Sequence, residues 1–345
     1  WSALRAQIGR ADSSEGGQFD SFEGGLIANS LISGRSIRRL PPEVVAEHVA
    51  LWGADVQMRD ALSFSAVLES ARAGDGAVMV SDRIGPAFVA SAREAAAESG
   101  AEVKVLDLSQ GDLADFATHD WNPFATAGFA ELRDLLTCED LLGRELPCAS
   151  DTRHLLTAAL PALTRLRERA AGGVNGAWFA EGVRMGFLDA LACGEYPETD
   201  PESMARVREW LCGVPGYDPE AIPRFSGLGG AHHTFLEMNV GRVGHVVDSR
   251  SRGLPELDLD ESVRGSDVLL VKAGKTVDQN LAVDAFTVAF LHALSRLDPT
   301  AGDAGAEGKA KPCVFSEMGN SPSPLMGSIM KAAKEAGLGF ILDLG

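Results

Sequence analysis

Gly274-Lys275-Thr276 are the first residues whose order suggests chemistry. They follow the apolar run Asp267-Val-Leu-Leu-Val271, and a Gly-Lys-Thr after a strand is how a phosphate-binding loop ends. Such a loop reads G-x-x-x-x-G-K-[ST]. Its glycines let backbone N–H groups wrap a polyphosphate, its Lys reaches the β- and γ-phosphates, and its hydroxyl holds Mg²⁺. Counting back from Gly274 puts the leading glycine at position 269, where this chain has Leu269. Lys275-Thr276 is therefore read as a strand-to-helix joint. Metal chemistry is as poorly supplied. The seven histidines include one adjacent pair, His232-His233, without H-E-x-x-H spacing. That pair follows Ser-Gly-Leu-Gly-Gly-Ala (226–231), which reads as a loop. The five cysteines (positions 138, 148, 193, 212 and 313) form no C-x-x-C pair. They read as reduced, intracellular thiols, and no metal site is expected.

The elements that must position any site lie at the two ends of the chain. Apolar runs at His48–Trp52, Ala77–Ser81 and Glu102–Leu106 read as strands, the last two followed by Asp82 and Asp107. Between them an Ala-rich helix places Phe88, Ala92, Ala95 and Ala96 near one face, with Gly100 at the position after its end. This β-α-β order predicts parallel strands. The pattern returns with a strand at Asp267–Val271 and a helix over 276–297 carrying Phe286, Phe290, Leu294 and Leu297 on one face. A small-residue linker (299–311), expected as a surface loop, leads to a strand at Cys313–Phe315. A helix capped by Ser323, with Pro324 first and Met326, Ile329, Met330 and Ala333 buried, precedes a last strand at Phe340–Leu342. The stretch from about 128 to 250 is helical, as in "RHLLTAALPALTRLRERA" (153–170) and "AWFAEGVRMGFLDALAC" (177–193), with Pro- and Gly-rich joints. The run "RLRERA" (165–170) reads as a solvated face.

Size and charge set the remaining bounds. A length of 345 residues suits one large α/β domain with an insertion, or two domains, and 45 % apolar residues suffice for a substantial core. No run approaches the roughly 18 apolar residues of a membrane span. No secretory signal is visible after Trp1, and a start without Met reads as a fragment. A net charge of −18 disfavours bulk non-specific attraction to a nucleic-acid backbone, while leaving room for a local basic groove.

Residues 77–124 are more specific: "AVMVSDRIGPAFVASAREAAAESGAEVKVLDLSQGDLADFATHDWNPF". A strand ending in Asp, a Gly, a helix, a second strand and a closing Trp121-Asn122-Pro123-Phe124 resemble the type IV secretion coupling proteins. These are a branch of the ring-forming, DNA-pumping P-loop ATPases. Their pattern is a strand, D-x-K-G-[DE], a helix, a strand and W-N-P-L, followed by a helical insertion. The family then resumes with a strand like 267–277 and a strand bearing D-E-F-G-N. The latter is matched by Val314-Phe315-Ser316-Glu317-Met318-Gly319-Asn320. The resemblance runs from about residue 30 to the end. It implies a P-loop NTPase (RecA-like) α/β fold, a mostly parallel sheet flanked by helices. The framework would be discontinuous (30–127 and 263–345), an all-α domain would be inserted at 128–262, and residues 1–29 would form a flexible N-terminal segment.

The resemblance places the phosphate loop after the strand 48–52, at Gly53-Ala-Asp-Val-Gln-Met58-Arg59-Asp60. The first glycine survives. Met58 stands for the second glycine and obstructs the backbone's approach to phosphate. Arg59 replaces the compact Lys charge with a wider, planar one. Asp60 replaces the Mg²⁺-holding hydroxyl, and with Asp55 it adds negative charge beside a triphosphate. The second centre is eroded too: Ser316 stands where the family has the Mg²⁺-organising Asp, while Glu317 remains as the group that would polarise the attacking water. Asp82 and Gly85 keep the D-x-K-G frame, with Ile84 in the Lys place. Blander roles are a capping carboxylate for Asp82 and Glu317, a structural ion pair for Arg59, and packing anchors for Trp121 and Phe124.

Together, the resemblance and these replacements imply a degenerate coupling-protein-like component with no cofactor expected, ATP/Mg²⁺ binding only if the altered loop still grips it. It would act as an adaptor recruiting secretion-apparatus proteins and protein substrates, with DNA a partner in the family's own role. It would be homo- or hetero-oligomeric and lie in the cytoplasm at the inner face of the bacterial inner membrane. The family's membrane anchor would precede Trp1 or be lacking. The alternative is a divergent but active ATPase driving DNA or protein translocation through Arg59, Glu317 and residues of neighbouring subunits. A third reading is an unrelated nucleotide-binding α/β enzyme.

Overall fold

The structure is a computed structural model that describes residues 20–22, 25–27, 49–51, 56–109, 111, 113–137, 149–170, 173–221, 224, 227–274, 276–297, 311–316, 333 and 338–343. Eight strands form one sheet: β1 (Asp20–Phe22), β2 (Gly25–Ile27), β3 (Val49–Leu51), β4 (Ala77–Ser81), β5 (Val103–Asp107), β6 (Val268–Lys272), β7 (Lys311–Ser316) and β8 (Leu338–Asp343). Their order is β1-β2-β3-β8-β7-β4-β6-β5, and every neighbouring pair from β2 onward is parallel. The α/β class expected from the alternation of elements is the one found. Within the N-terminal segment expected to be flexible, β1 and β2 pair antiparallel, and Leu26 of β2 lies in register with Val49 of β3. Part of that segment is thus a sheet edge, which its Gly- and Ser-rich sequence did not suggest.

Strands β4, β5 and β6 are buried at all five positions. Burial on both faces requires helices on both sides, which is why these runs are mainly apolar rather than alternating, with polar residues only at Lys104 and at the ends Ser81, Asp107 and Lys272. Alternate residues serve two cores. Ala77, Met79, Val105, Leu270 and Ile341 face α1 (Val56–Ala73) and α2 (Pro86–Ser99), against Val67, Val89, Ala92 and Ala96. Val78, Val80, Leu106, Val271, Phe315 and Phe340 face the other way. Helix α2 carries the buried face read from its sequence, Phe88, Ala92, Ala95 and Ala96, and ends at Gly100 with φ 78°. Glycine suits that left-handed cap because it has no Cβ to clash.

The β4-α2-β5 unit is parallel as expected, but its strands are not neighbours. β6 lies between them, in register with both. Between β5 and β6 in sequence come α3 (Pro123–Thr126), α4 (Phe129–Leu136), α5 (Ala149–Arg167), α6 (Gly176–Gly182), α7 (Met185–Ala192), α8 (Pro201–Cys212), α9 (Gly227–Asp248) and α10 (Leu259–Arg264). Helix α11 (Val277–Ser295) follows β6. The second core is continuous from the sheet into these helices. Val78 and Phe315 share a cluster with Phe286 and Phe290 of α11 and with Leu156, Phe179, Leu188 and Val243. Trp121 and Phe124 sit at this junction, Trp121 edge-on to Phe286 at 5.5 Å and Phe124 5.8 Å from Phe179. They are packing anchors, as read.

Three local expectations change. The Gly-rich stretch ending in His232-His233 belongs to α9 rather than a loop. Tertiary packing offsets the roughly 1 kcal/mol per glycine that helix propensity costs. His233 is buried, with Nε2 2.8 Å from the Val183 carbonyl and 3.1 Å from Glu237. Arg167, read as solvated, is half-buried and donates to the carbonyls of Phe124 and Ala127. Lys311, read as the end of a linker, opens β7 and is buried, its Nζ donating to the carbonyls of Ser262 and Gly265. The rest of that linker and the helix expected at 324–336, except buried Ala333, lie outside the described residues. Among the described residues no helix is long and apolar enough to cross a membrane.

Burial holds the Lys311 ammonium well below its ordinary 10.5, at about 8. Between those values the unfolded chain keeps the proton and the folded chain releases it. Stability therefore rises with pH across that window, and the full cost of the buried charge is present below pH 8. Urea unfolding at pH 7.5 and 10.5 should show the wild type gaining up to about 3 kcal/mol relative to Lys311→Met. Equal pH slopes for the two proteins would contradict this.

Candidate functional site

In a parallel sheet all C-terminal strand ends point to one edge, the usual place for ligands in this fold class. Here that edge gathers the ends of β3, β4, β7 and β8, and with them most of the candidate residues. Ser316 closes β7 and pairs in register with Asp343 at the end of β8, which separates β7 from β3. Glu317 comes directly after Ser316 but lies outside the described residues, as do Gly53 and Asp55. Helix α1 begins at Val56. Met58, Arg59 and Asp60, aligned with the end of the phosphate loop, therefore already have helical backbone.

The side chains there are engaged with the chain itself. Arg83, from the turn after β4, donates through Nη1 to both carboxylate oxygens of Asp60, at 3.0 and 2.9 Å. Its Nε is 3.7 Å from Oδ1 of Asp82. Side-chain exposure is 17 % for Arg83, 23 % for Asp60 and 7 % for Asp82. The Arg83 backbone N–H donates to the Ser81 hydroxyl, and Lys272 at the end of β6 donates to the Asp82 carbonyl. Arg59 is 5 % exposed. Ile84, in the place of the family's Lys, is a buried member of the α1–α2 core. The structure thus brings Asp60 and Asp82 to one arginine that no motif had singled out.

The electrostatic consequence is direct. A helix N-terminus attracts anions; the first turn of α1 carries no acidic residue, and Asp60 follows it already bound by Arg83. A phosphate oxygen about 4 Å from a bare carboxylate would be repelled by roughly 4 kcal/mol at an effective dielectric of 20, a repulsion that the Arg83 guanidinium on Asp60 largely offsets. The partly exposed Asp60–Arg83 pair itself is worth only about 1 kcal/mol or less.

A second polar centre joins the end of β5 to the helical segment. Asp107 accepts from the Ser109 hydroxyl and N–H and from Arg252 Nη2 at 2.8 Å. Burial pushes its carboxyl up, but these bonds outweigh it and hold the group below the usual carboxylate range. Asp120 accepts at one oxygen from the Ser251 hydroxyl and from the N–H groups of Arg252 and Leu254. Its own N–H and carbonyl bond Pro255 and Leu257. Asn122 caps α3 and donates to the Val174 carbonyl. The residues before and within Trp-Asn-Pro-Phe therefore clamp the start of the helical segment to its end.

Thr276 caps α11 with Gln279 in a reciprocal capping box, which places Thr276 at a strand-to-helix joint as read, while Lys275 lies outside the described residues. Among the described residues no group of three or more His, Cys, Asp or Glu is arranged to hold a metal. Arg83, Asp120 and Arg252 were not identified from the sequence. Arg83 and Asp120 adjoin the Asp82 and Trp121 motifs, whereas nothing near Arg252 in the sequence signalled its role.

No protein-family model matches the chain, and no curated protein matches it in sequence. Among solved structures it is similar to a bacterial conjugative coupling protein, TrwBdeltaN70 in an unbound monoclinic form. That match has 10 % identity, a TM-score of 0.41, and covers 80 % of this chain and 63 % of the other. It is also similar to the plasmid coupling protein TrwB in complex with the non-hydrolysable GTP analogue GDPNP. There the identity is 9 %, the TM-score 0.38, and coverage 80 % and 64 %. The chain spans less than two thirds of either structure.

Proposed function

We propose that this chain is a coupling-protein-like component of a type IV secretion or conjugation apparatus. It keeps the nucleotide-binding framework without hydrolysis and serves as an adaptor that recruits partner or substrate proteins at the cytoplasmic face of the inner membrane. The observation that carries the non-hydrolysing part is the Asp60–Arg83 contact: the position that would hold Mg²⁺ through a hydroxyl is a carboxylate bound to the chain's own guanidinium. The order of motifs from Asp82 through Trp121 to Ser316-Glu317 supports the coupling-protein framework. The helical segment clamped through Asp107 and Asp120 supplies the surface for partners.

Titration with Mg-ATP tests this. We expect no saturable binding below about 1 mM, a free energy weaker than roughly −4 kcal/mol. Micromolar binding, with turnover abolished in Glu317→Gln, would replace the adaptor by the active translocating ATPase.

A further inference from the structure

A cavity of about 350 Å³ lies among the start of α5, the end of α8 and the middle of α9. None of its lining residues belongs to the phosphate-loop, Asp82, Trp121 or Ser316-Glu317 motifs. Asp151 and His154 of α5, Glu209 and Trp210 of α8, Val214 and Leu236 line it. Val214 and Leu236 are buried and make an apolar floor, while Asp151 and Glu209 are exposed at the rim. Trp210 is half-buried, its ring 5.5 Å from that of His233. His233 is itself anchored to the Val183 carbonyl and Glu237, so the indole is backed by a fixed side chain.

The volume is at the small end of ligand pockets, roughly 300–1,000 Å³. Its chemistry is selective. An anion would meet two carboxylates on a chain of net charge −18. A purely apolar ligand would make no use of those carboxylates. A flat cation on an alkyl stem suits all three features: the stem lies on the apolar floor, the cation stacks on the indole, and the carboxylates accept its N–H groups. We propose that this cavity binds an alkyl guanidinium, carried either by a free small molecule or by an arginine side chain of a partner protein. The inference gives a chemical class to one contact of the proposed adaptor but does not rest on that reading. It would hold equally if Mg-ATP bound at residues 53–60.

The test monitors the indole N–H signals of ¹⁵N-labelled protein, with Trp210 assigned by its loss in Trp210→Phe. The probes are agmatine, the peptide acetyl-Gly-Arg-Gly-amide, and butylurea as a neutral isostere. We expect agmatine or the peptide to shift the Trp210 signal saturably. Asp151→Asn combined with Glu209→Gln, which preserves shape, should weaken this about tenfold. Butylurea should leave the signal in place. Tighter binding of the peptide assigns the guanidinium to a partner protein, and tighter binding of agmatine assigns it to a small molecule. No shift by either cation up to about 50 mM, an equal shift by butylurea, or equal affinity in the folded double variant would overturn the proposal.

Discussion

Gly176→Ala is expected to destabilise the protein by about 3 kcal/mol or more, measured by urea unfolding. Gly176 opens α6 where it crosses α9, and the two helices meet backbone to backbone. A Cβ at Gly176 would lie 2.2 Å from the Cα of Gly244 and 2.6 Å from its carbonyl carbon and oxygen. No rotamer relieves such a clash, because the neighbour is main chain rather than a flexible side chain. Moving α6 outward would also break its cap, in which Asp248 at the end of α9 accepts from the N–H groups of Gly176 and Ala177 at 2.8 Å each. The reciprocal change, Gly244→Ala, meets the Gly176 backbone at 2.7–2.8 Å and should cost a similar amount. The double variant should cost less than the sum, since one shift of the helices serves both methyl groups. A loss under about 1 kcal/mol for Gly176→Ala would mean that the helices do not cross this closely.

Asp120→Ala should cost about 3 kcal/mol, because one buried carboxylate oxygen serves three donors. Removing it leaves the N–H groups of Arg252 and Leu254 without their acceptor beside the exit from α9. Asp120→Asn, which keeps an oxygen but no charge, should cost roughly a third as much. Denaturant midpoints give the stabilities, and limited proteolysis after Arg250 or Arg252 reports whether the joint has loosened. If Asp120→Ala unfolds at the wild-type midpoint with no faster cleavage, the clamp does not hold the helical segment to β5.

Much of the framework was legible because its causes are local. The mainly apolar runs read at 77–81, 102–106 and 267–271 announce strands, and the strands are buried over 77–81, 103–107 and 268–272. Gly100 and Thr276 mark helix ends through caps that act within four residues. Phe88, Ala92 and Ala96 repeat at helical spacing and are buried. Where local cues pointed the wrong way, a distant surface prevailed. The glycines before His233 read as a loop, yet they lie in α9. Gly244, further along the same helix, shows what a missing side chain permits, since only a bare backbone lets α6 pack so closely.

The candidate site divides the same way. Residue types at 58–60 gave the expectation that a triphosphate there would meet a bulky side chain and a carboxylate instead of glycine and a hydroxyl. That Arg83 holds Asp60 was not legible, because the two are joined through β4 and its turn and no periodicity links them. Likewise, the sequence by itself determined the central strands at 77–81, 102–106 and 267–271 and the apolar face of α2, since backbone geometry and hydrophobic spacing act over a few residues. Only the tertiary structure decided that β6 lies between β4 and β5, that β8 lies between β3 and β7, and that one core runs from the sheet into the helices. Those choices are made by the burial of whole faces against one another, a free energy summed over residues more than a hundred positions apart.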